Sequence, residues 1–284
     1  MRLAEIERHV SSIEELQRIV GAMRAIASMR VQEALRALTS VREYGSAMAA
    51  AVREALAIAA DERIAPGEAQ RGGRRAIVVF TSEHGFVGGF NERLLEAAGV
   101  NPDVGDTLLI VGSRGGALAS DRGLTVASTH AMATRLASVP EVVERVREGL
   151  YSRIASAEIK RAEVVFGSHQ RSGATVIGRR QLFPLDLSAR RERFEPVPLH
   201  DLPAAELLER LTAEYILSQL TEAATESLAA ENAARFAAME AAHDNVGKKV
   251  QALRLDASRA RQEEVTTELL DLVIGQQAVD KSLS

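Results

Sequence analysis

Residues 223–242 read AATESLAAENAARFAAMEAA, a stretch in which alanine, the strongest helix former, recurs in pairs. No proline follows residue 203 and none precedes residue 66, so all seven prolines lie in the middle of the chain. Because proline inside a helix costs about 3 kcal/mol, each proline-free end can form a long uninterrupted helix. The sequence therefore predicts two long helices that enclose a separate central insert.

The composition excludes several classes of protein. The net charge of −4 argues against a dedicated nucleic-acid-binding protein, which usually carries a basic excess. Cysteine is absent, which excludes disulfides, thiol catalysis and Cys-based zinc sites. No apolar run approaches the roughly 20 residues of a membrane span, and the N-terminus shows no signal-peptide pattern, so we expect a soluble protein made in the cytoplasm. We expect solvated side chains rather than metal ligands for the six histidines: His9, His84, His130, His169, His200 and His243.

The N-terminal segment carries one apolar stripe with steps of three and four residues, the pattern of a helix face. The stripe is Leu3, Ile6, Val10, Ile13, Leu16, Val20, Met23, Ala27, Val31, Ala34, Leu38 and Val41. Six of these residues are also spaced by seven, which predicts left-handed supercoiling with a partner helix. This stripe, the seam of the predicted coiled coil, has small side chains at Ala27 and Ala34, where a partner helix could approach closely.

Helix length predicts how the two ends are arranged. Helices of about 55 and about 75 residues would span roughly 80 and 110 Å, more than the diameter of a globular protein of this length. We therefore expect an elongated protein whose ends, residues 1–62 and 204–282, pair as an antiparallel coiled coil. The longer C-terminal helix would extend beyond its partner, and its apolar residues would need cover from other chains.

The central insert, residues 74–195, shows the pattern of a Rossmann-like α/β domain. Buried strands are predicted at 74–82 (RRAIVVFTS), 106–112 (DTLLIVG) and 124–128, with helices at 91–98, 113–121 and 140–159. Asn91 is a candidate N-cap for the first of these helices. Strands at 163–168 and 174–180 form a final hairpin, so the predicted order is β-α-β-α-β-α-β-β.

Two glycine-rich turns, GFVGG at 85–89 and GSRGG at 112–116, raise the alternative of a phosphate-binding site. Neither matches G-x-G-x-x-G, and the P-loop pattern is absent. Tight strand-to-helix turns need glycine without any ligand. No catalytic, cofactor-binding or metal site is predicted. The carboxylates Glu263 and Glu264 are interpreted as helix surface.

Three stretches resemble the gamma subunit of F-type rotary ATP synthases. The first two are C-terminal, residues 231–247 (ENAARFAAMEAAHDNVG) and 258–279 (SRARQEEVTTELLDLVIGQQAV). The third is the opening helix, residues 11–34 (SSIEELQRIVGAMRAIASMRVQEA). The turn GFVGGFN at 85–91 is similar to the family's G-L-C-G-G-L-N, with Val87 where cysteine is common.

The resemblance implies a central rotor shaft that transmits torque but binds no nucleotide and has no catalytic site of its own. It implies that the paired helices lie inside a ring of alpha and beta subunits. The insert would contact the epsilon subunit and the membrane c-ring, at the cytoplasmic face of a bacterial inner membrane. No nucleic-acid partner and no cofactor are implied.

Residues that match the family's contact positions are few. Met23 and Arg235 match positions near the lower lever of the catalytic subunits, and Arg261, Gln262 and Thr266 match contacts higher on the shaft. Phe194 and Glu195 lie in the stretch that approaches the c-ring.

The chain departs from the family in its basic residues, and two other hypotheses for its function stay open. Only Arg24 and Arg30 stand where typical members carry a dense basic cluster after Met23, which suggests a divergent bacterial member from an alternative F-type ATPase. A non-rotary coiled-coil scaffold with an α/β insert is the first alternative, and a nucleotide-binding α/β enzyme with helical arms is the second.

Overall fold

The computed structural model of the chain describes residues 3–61, 74–101, 105–156, 158–170, 173–185 and 200–282. Two long helices, α1 (Leu3–Asp61) and α5 (Ala204–Ser282), bracket the smaller elements. The elements between them are β1 (Arg75–Phe80), α2 (Phe90–Ala98), β2 (Thr107–Val111), α3 (Ser113–Asp121), β3 (Val126–His130), α4 (Val139–Ala155), β4 (Arg161–His169) and β5 (Thr175–Phe183). The predicted order of strands and helices is confirmed.

The five strands form one mixed sheet in the order β3-β2-β1-β4-β5. The pairs β1–β2, β1–β4 and β2–β3 are parallel, while β4 and β5 form an antiparallel hairpin. The central strands are continuous apolar runs because both faces of the sheet are covered. Ile77, Val78, Leu108 and Leu109 are fully buried.

Each face of the sheet packs against its own helices. One face carries α2 and α3, with Phe90 and Leu94 in its core. The other carries α4 and part of α5, with Leu150, Ile216 and Leu220 in its core. The helix α5 takes part in both cores, since Ala230 belongs to the first.

Two local predictions were wrong. The third strand begins at Val126 and includes His130, later than predicted, because the amide of Leu124 donates to the Ala119 carbonyl oxygen at the end of α3. Asn91 is not an N-cap: α2 begins at Phe90 after Gly89, and no side chain caps it. Asn91 lies inside the helix and is buried.

The chain divides into two compact units. The first comprises residues 1–26 with 237–284, and the second comprises residues 27–236. In the first unit, α1 and α5 are antiparallel, because Glu7 binds Arg261 and Glu14 binds Arg254. Within the second unit they are again antiparallel, because Arg42 binds Glu222 while the later Tyr44 binds the earlier Glu214.

The predicted apolar stripe of α1 is buried at six of its twelve positions and partly buried at five. Exposure is 5% at Ile6, 7% at Val20, 1% at Ala27 and 0% at Ala34. Leu16 is the exception: it is 47% exposed, so its assignment to the seam was wrong. Steps of three and four residues fit Leu16 to the stripe, but they do not distinguish the buried centre of a helix face from its margin.

Candidate functional site

The carboxyl edge of the sheet is where doubly wound folds bind their ligands, at the point where strand order reverses. Here the reversal lies between β1 and β4, since β2 and β3 extend the sheet on one side of β1 and β4 lies on the other. The helix α5 occupies this position. Ser227 Oγ donates a hydrogen bond to the Phe80 carbonyl oxygen at 2.9 Å and accepts one from the Gly167 amide at 3.5 Å.

Packing at this edge leaves no room for a side chain on β4. A Cβ placed on Gly167 would lie 2.9 Å from Ala230 Cβ of α5 and 2.6 Å from Cε2 of Phe90. Carbon atoms in contact are normally about 3.5–4.0 Å apart. The crevice that would receive a nucleotide is therefore filled by the chain's own helix.

The glycines of the GSRGG turn are required by packing. Gly112 has φ of 124°, and a Cβ on it would lie 2.4 Å from Thr81 Oγ1. A Cβ on Gly115 would lie 2.1 Å from the same oxygen. These glycines let the start of α3 approach the end of β1, which is a structural explanation of a motif that resembles a phosphate loop.

The N-terminus of α3 already has an anionic partner. Glu83 accepts hydrogen bonds from the amide and hydroxyl of Ser113 and from the amide of Met132, at 3.1, 2.7 and 2.8 Å. Burial opposes ionisation of this carboxyl, but these hydrogen bonds prevail and lower the pKa of Glu83. The carboxylate thus takes the place that a phosphate would occupy at a helix N-terminus.

Asn91 joins the end of β1 to α2. Its side-chain oxygen accepts a hydrogen bond from the Ser82 amide at 2.9 Å, and its side-chain nitrogen donates to Ser82 Oγ at 2.8 Å. Both residues are buried, so these hydrogen bonds connect the two ends of the turn inside the protein.

A buried ion pair fastens α5 to the turn after β1. Glu231 and Arg235 are side chains only 5% and 8% exposed, and Arg235 Nη2 donates to Glu231 Oε1 at 2.7 Å. The same guanidinium donates to the carbonyl oxygens of His84 and Gly85 at 3.3 Å. Burial raises the pKa of Glu231 to about 7, and the positive charge of Arg235 offsets only part of this effect.

The pair leaves one acceptor unused. No hydrogen bond reaches Glu231 Oε2 from the described residues, and the Glu83 carboxylate further raises the pKa of Glu231. Removal of Glu231 would leave the Arg235 guanidinium buried without its carboxylate, so the pair keeps Arg235 in position to bind the carbonyl oxygens of His84 and Gly85.

The residues predicted to contact a catalytic ring lie in different environments. Arg261 is 65% exposed and binds Glu7, while Gln262 and Thr266 are exposed on α5, with Thr266 Oγ1 bonded to the Gln262 carbonyl oxygen. Met23 is half-buried on α1. Arg235 is engaged by its own chain, as described above. Phe194 and Glu195 lie outside the described residues.

The first unit carries two apolar surfaces that its own chain leaves uncovered. On α1, Leu16, Ile19 and Ile26 are 47%, 52% and 47% exposed, and their spacing of three and seven places them on one side of the helix. On α5, Val265 and Leu269 are 49% and 58% exposed.

The second apolar surface lies where the pairing of α5 with the described part of α1 ends. Glu7 faces Arg261, so in an antiparallel pair the first residue of α1, Leu3, corresponds to Val265. The helix α5 continues from there to Ser282. The predicted extension of α5 beyond its partner is therefore present in this unit.

Other expected features have mixed outcomes. Glu263 and Glu264 are exposed, as predicted. His130, His169 and His243 are partly buried rather than solvated, and burial together with Arg145 and Arg153 lowers the pKa of His130. Among the helices of the described residues, none has an apolar stretch long enough to cross a membrane. The described part of the chain also contains no group of three or more His, Asp or Glu side chains placed to hold a metal ion.

Sequence reasoning missed the residues that close the sheet edge. Ser227 and Glu231 lie in the alanine-rich C-terminal stretch and Gly167 in a predicted strand, and no role was predicted for any of them. The signal that could have located them is the combination of a glycine inside a buried strand with small residues on α5, which marks a close approach of backbones.

Comparisons with known proteins agree on one family. The sequence model of the family described as ATP synthase matches residues 2–279. The chain is 26% identical to an ATP synthase gamma chain of Sulfurihydrogenibium sp. over 286 residues, covering 97% of each chain. It is 27% identical to an ATP synthase gamma chain of Thermobifida fusca over 297 residues, covering 98% of this chain and 96% of the relative.

Solved structures give the same fold. A chain of the Euglena gracilis mitochondrial ATP synthase, from a structure of its OSCP, F1 and c-ring, matches with a TM-score of 0.63 at 14% identity, covering 98% of this chain and 94% of that one. A chain of the Tetrahymena thermophila mitochondrial ATP synthase central stalk and c-ring matches with a TM-score of 0.55 at 17% identity, covering 79% of this chain and 99% of that one.

Proposed function

The chain belongs to the ATP synthase gamma family and is a central-stalk subunit of an F-type ATP synthase, and from this premise we propose how it transmits torque. One end would be turned by an ion-driven c-ring, and the other would act on a catalytic ring of alpha and beta subunits. The observation that carries the proposal is that the two apolar surfaces of the first unit, one on α1 and one on α5, are exposed.

That surface is suited to a surrounding sleeve of protein. Leu16, Ile19 and Ile26 of α1 and Val265 and Leu269 of α5 would each gain from burial, at about 25 cal/mol per Å² of apolar area removed from water. The two surfaces lie on different helices of the pair. A ring that encloses the helix pair would cover both.

The filled crevice supports a non-catalytic role. Ser227 and Ala230 occupy the position where an α/β sheet would bind a nucleotide, and Glu83 satisfies the N-terminus of α3. We therefore assign ATP chemistry to the alpha and beta subunits and no catalytic site to this chain.

Torque can be coupled to catalysis only through differential binding. A shaft that bound every catalytic conformation equally would shift none of them. The two apolar surfaces would make the helix pair asymmetric around its axis. Each angle of the shaft then favours one set of conformations in the ring, and the reverse effect drives rotation during hydrolysis.

Partner contacts are assigned to specific residues. Arg261, Gln262 and Thr266 would contact the catalytic subunits, with Met23 at their lower lever. The buried position of Arg235 assigns that side chain to the turn at Glu83–Gly89, so its effect on the lever would be indirect. The insert, including Phe194 and Glu195, would contact the epsilon subunit and the c-ring at the cytoplasmic face of a bacterial inner membrane.

A truncation tests the proposal. Deletion of residues 265–284 removes exposed apolar side chains, so the melting temperature of the remaining protein should change little. In a complex reconstituted with alpha, beta, epsilon and c subunits, the same deletion should lower the number of ions moved per ATP hydrolysed.

A point variant refines this test. Leu269→Ser should reduce coupling, while Glu268→Ser, an exposed neighbour on the same helix, should not. Failure of the full-length chain to co-purify with an alpha–beta ring would contradict the proposed function.

A further inference from the structure

One carboxylate in the second unit connects three elements of the fold. Glu222 of α5 accepts a hydrogen bond at Oε2 from Arg180 Nη1 of β5 at 2.9 Å, and at Oε1 from Arg42 Nε of α1 at 3.3 Å. Its side chain is only 12% exposed. The two oxygens therefore face different partners, one on the edge strand of the sheet and one on the N-terminal helix.

Further contacts fix both arginines. Arg180 Nη1 also donates to Gln219 Oε1 at 2.9 Å, and its guanidinium lies 5.3 Å from the centre of the Phe166 ring. Arg42 Nη2 donates to Glu226 Oε1 at 2.9 Å. This hydrogen bond to Glu226 is the main cause of a raised pKa at Arg42, so this guanidinium stays charged.

The remaining contacts between α5 and this face of the sheet are mainly apolar. Ile216, Leu220, Ala223 and Ala224 belong to the core under α4 and the sheet. Apolar burial is strong but non-directional, so the angle between α5 and the sheet depends on directional bonds: those of Ser227 at the carboxyl edge and that of Glu222 to the edge strand. Charge-assisted hydrogen bonds from planar guanidinium groups have a defined direction and do fix an angle.

We propose that Arg42, Glu222 and Arg180 form a torsional clamp that fixes the angle of the sheet relative to the α1–α5 pair within the second unit. The clamp rests on the proposed function, in which the sheet domain receives torque that the helices must deliver. Its residues act as positioning residues. They need not contact a catalytic subunit, because their effect is to limit how far the sheet twists relative to the helices when torque is applied.

The clamp is tested by single-molecule rotation with a label on the sheet domain. The chain has no cysteine, so Thr125→Cys, at an exposed position before β3, gives one site for attachment of a bead. With the catalytic ring fixed to a surface and stalled without ATP, the angular fluctuation of the bead reports the torsional stiffness of the shaft.

In this assay Glu222→Ala should increase the angular variance about twofold, since it removes the directional link to β5 and to α1 at once. Arg180→Ala should produce a smaller increase, and Arg180→Lys should recover part of the stiffness because a point charge can still reach Glu222. The matched control is Arg210→Ala, which removes an exposed ion pair within α5 and should leave the variance unchanged.

The outcomes separate the clamp from the proposed function. If the complex carrying the wild-type chain does not rotate on addition of ATP, the proposed function fails. If it rotates but Glu222→Ala leaves the angular variance at the wild-type value, the clamp is refuted. A lower melting temperature with unchanged variance would assign these residues a purely structural role and would also refute it.

Discussion

Replacement of Gly167 by alanine tests whether α5 really closes the crevice of the sheet. The added Cβ would lie 2.9 Å from Ala230 Cβ and 2.6 Å from Phe90 Cε2. Since carbon contacts normally lie about 3.5–4.0 Å apart, α5 and the Phe90 ring would have to retreat by roughly 1 Å. Overpacking of this kind typically costs about 1–3 kcal/mol.

The cost can be measured as a change in thermal stability. For a unit of this size, each kcal/mol lowers Tm by roughly 2–4 °C, so Gly167→Ala should melt several degrees below wild type in differential scanning calorimetry. Gly149→Ala is the control, since its Cβ would meet only Arg153 Nη1 at 3.9 Å and a helical alanine stabilises by up to about 1 kcal/mol. A wild-type Tm for Gly167→Ala would refute the close approach of α5.

Three further predictions concern the buried pair, the seam and the shaft surface. Because the pKa of Glu231 is raised from 4.5 to about 7, its contribution to stability is present at low pH and is lost as pH rises through 7. Between pH 5 and 8, the free energy of unfolding in urea should fall by up to about 3 kcal/mol more for wild type than for Glu231→Gln. Equal losses in the two proteins would contradict this. Ala34→Leu, at a fully buried position of α1, should lower stability by about 1–3 kcal/mol in the same assay, and a neutral result would mean that the seam has space there. Arg261→Ala should change stability by less than about 1 kcal/mol because its ion pair is exposed, but it should lower ATP-driven ion pumping. Arg259→Ala should change neither stability nor pumping. Normal pumping by Arg261→Ala would show that Arg261 is not part of the contact surface.

The elements that could be predicted from sequence are those governed by local pattern. Proline placement and alanine content predicted α1 and α5, and the apolar runs around Ile77 and Leu108 predicted buried strands of an α/β domain. The local sequence pattern was sufficient here because it identifies a helix or a buried strand without reference to the residues that pack against it.

The features that escaped prediction depend on contacts between distant parts of the chain. Ser227 meets the Phe80 carbonyl oxygen 147 residues away, and Arg42 meets Glu222 at a separation of 180. No local signal identifies such partners. The glycines at Gly112 and Gly115 illustrate the same limit, because a tight turn around Thr81 and a phosphate-binding loop require the same residue type.

Arg235 shows how a motif can be matched while its environment is missed. The family pattern predicts a contact with a neighbouring subunit, and within its own chain the guanidinium binds Glu231 and the carbonyl oxygens of the turn at His84 and Gly85. A buried cation needs several acceptors at once, and which acceptors are close is decided by tertiary packing.

Direct observation of rotation tests the central claim. With the alpha–beta ring fixed to a surface and a bead attached through Thr125→Cys, ATP should drive continuous rotation of the bead in one direction, in steps that reflect the threefold symmetry of the ring. The 265–284 deletion should rotate with weaker torque in the same assay. A chain that assembles with an ATP-hydrolysing ring but stays stationary while ATP is consumed would contradict the assignment of this protein as a torque-transmitting stalk.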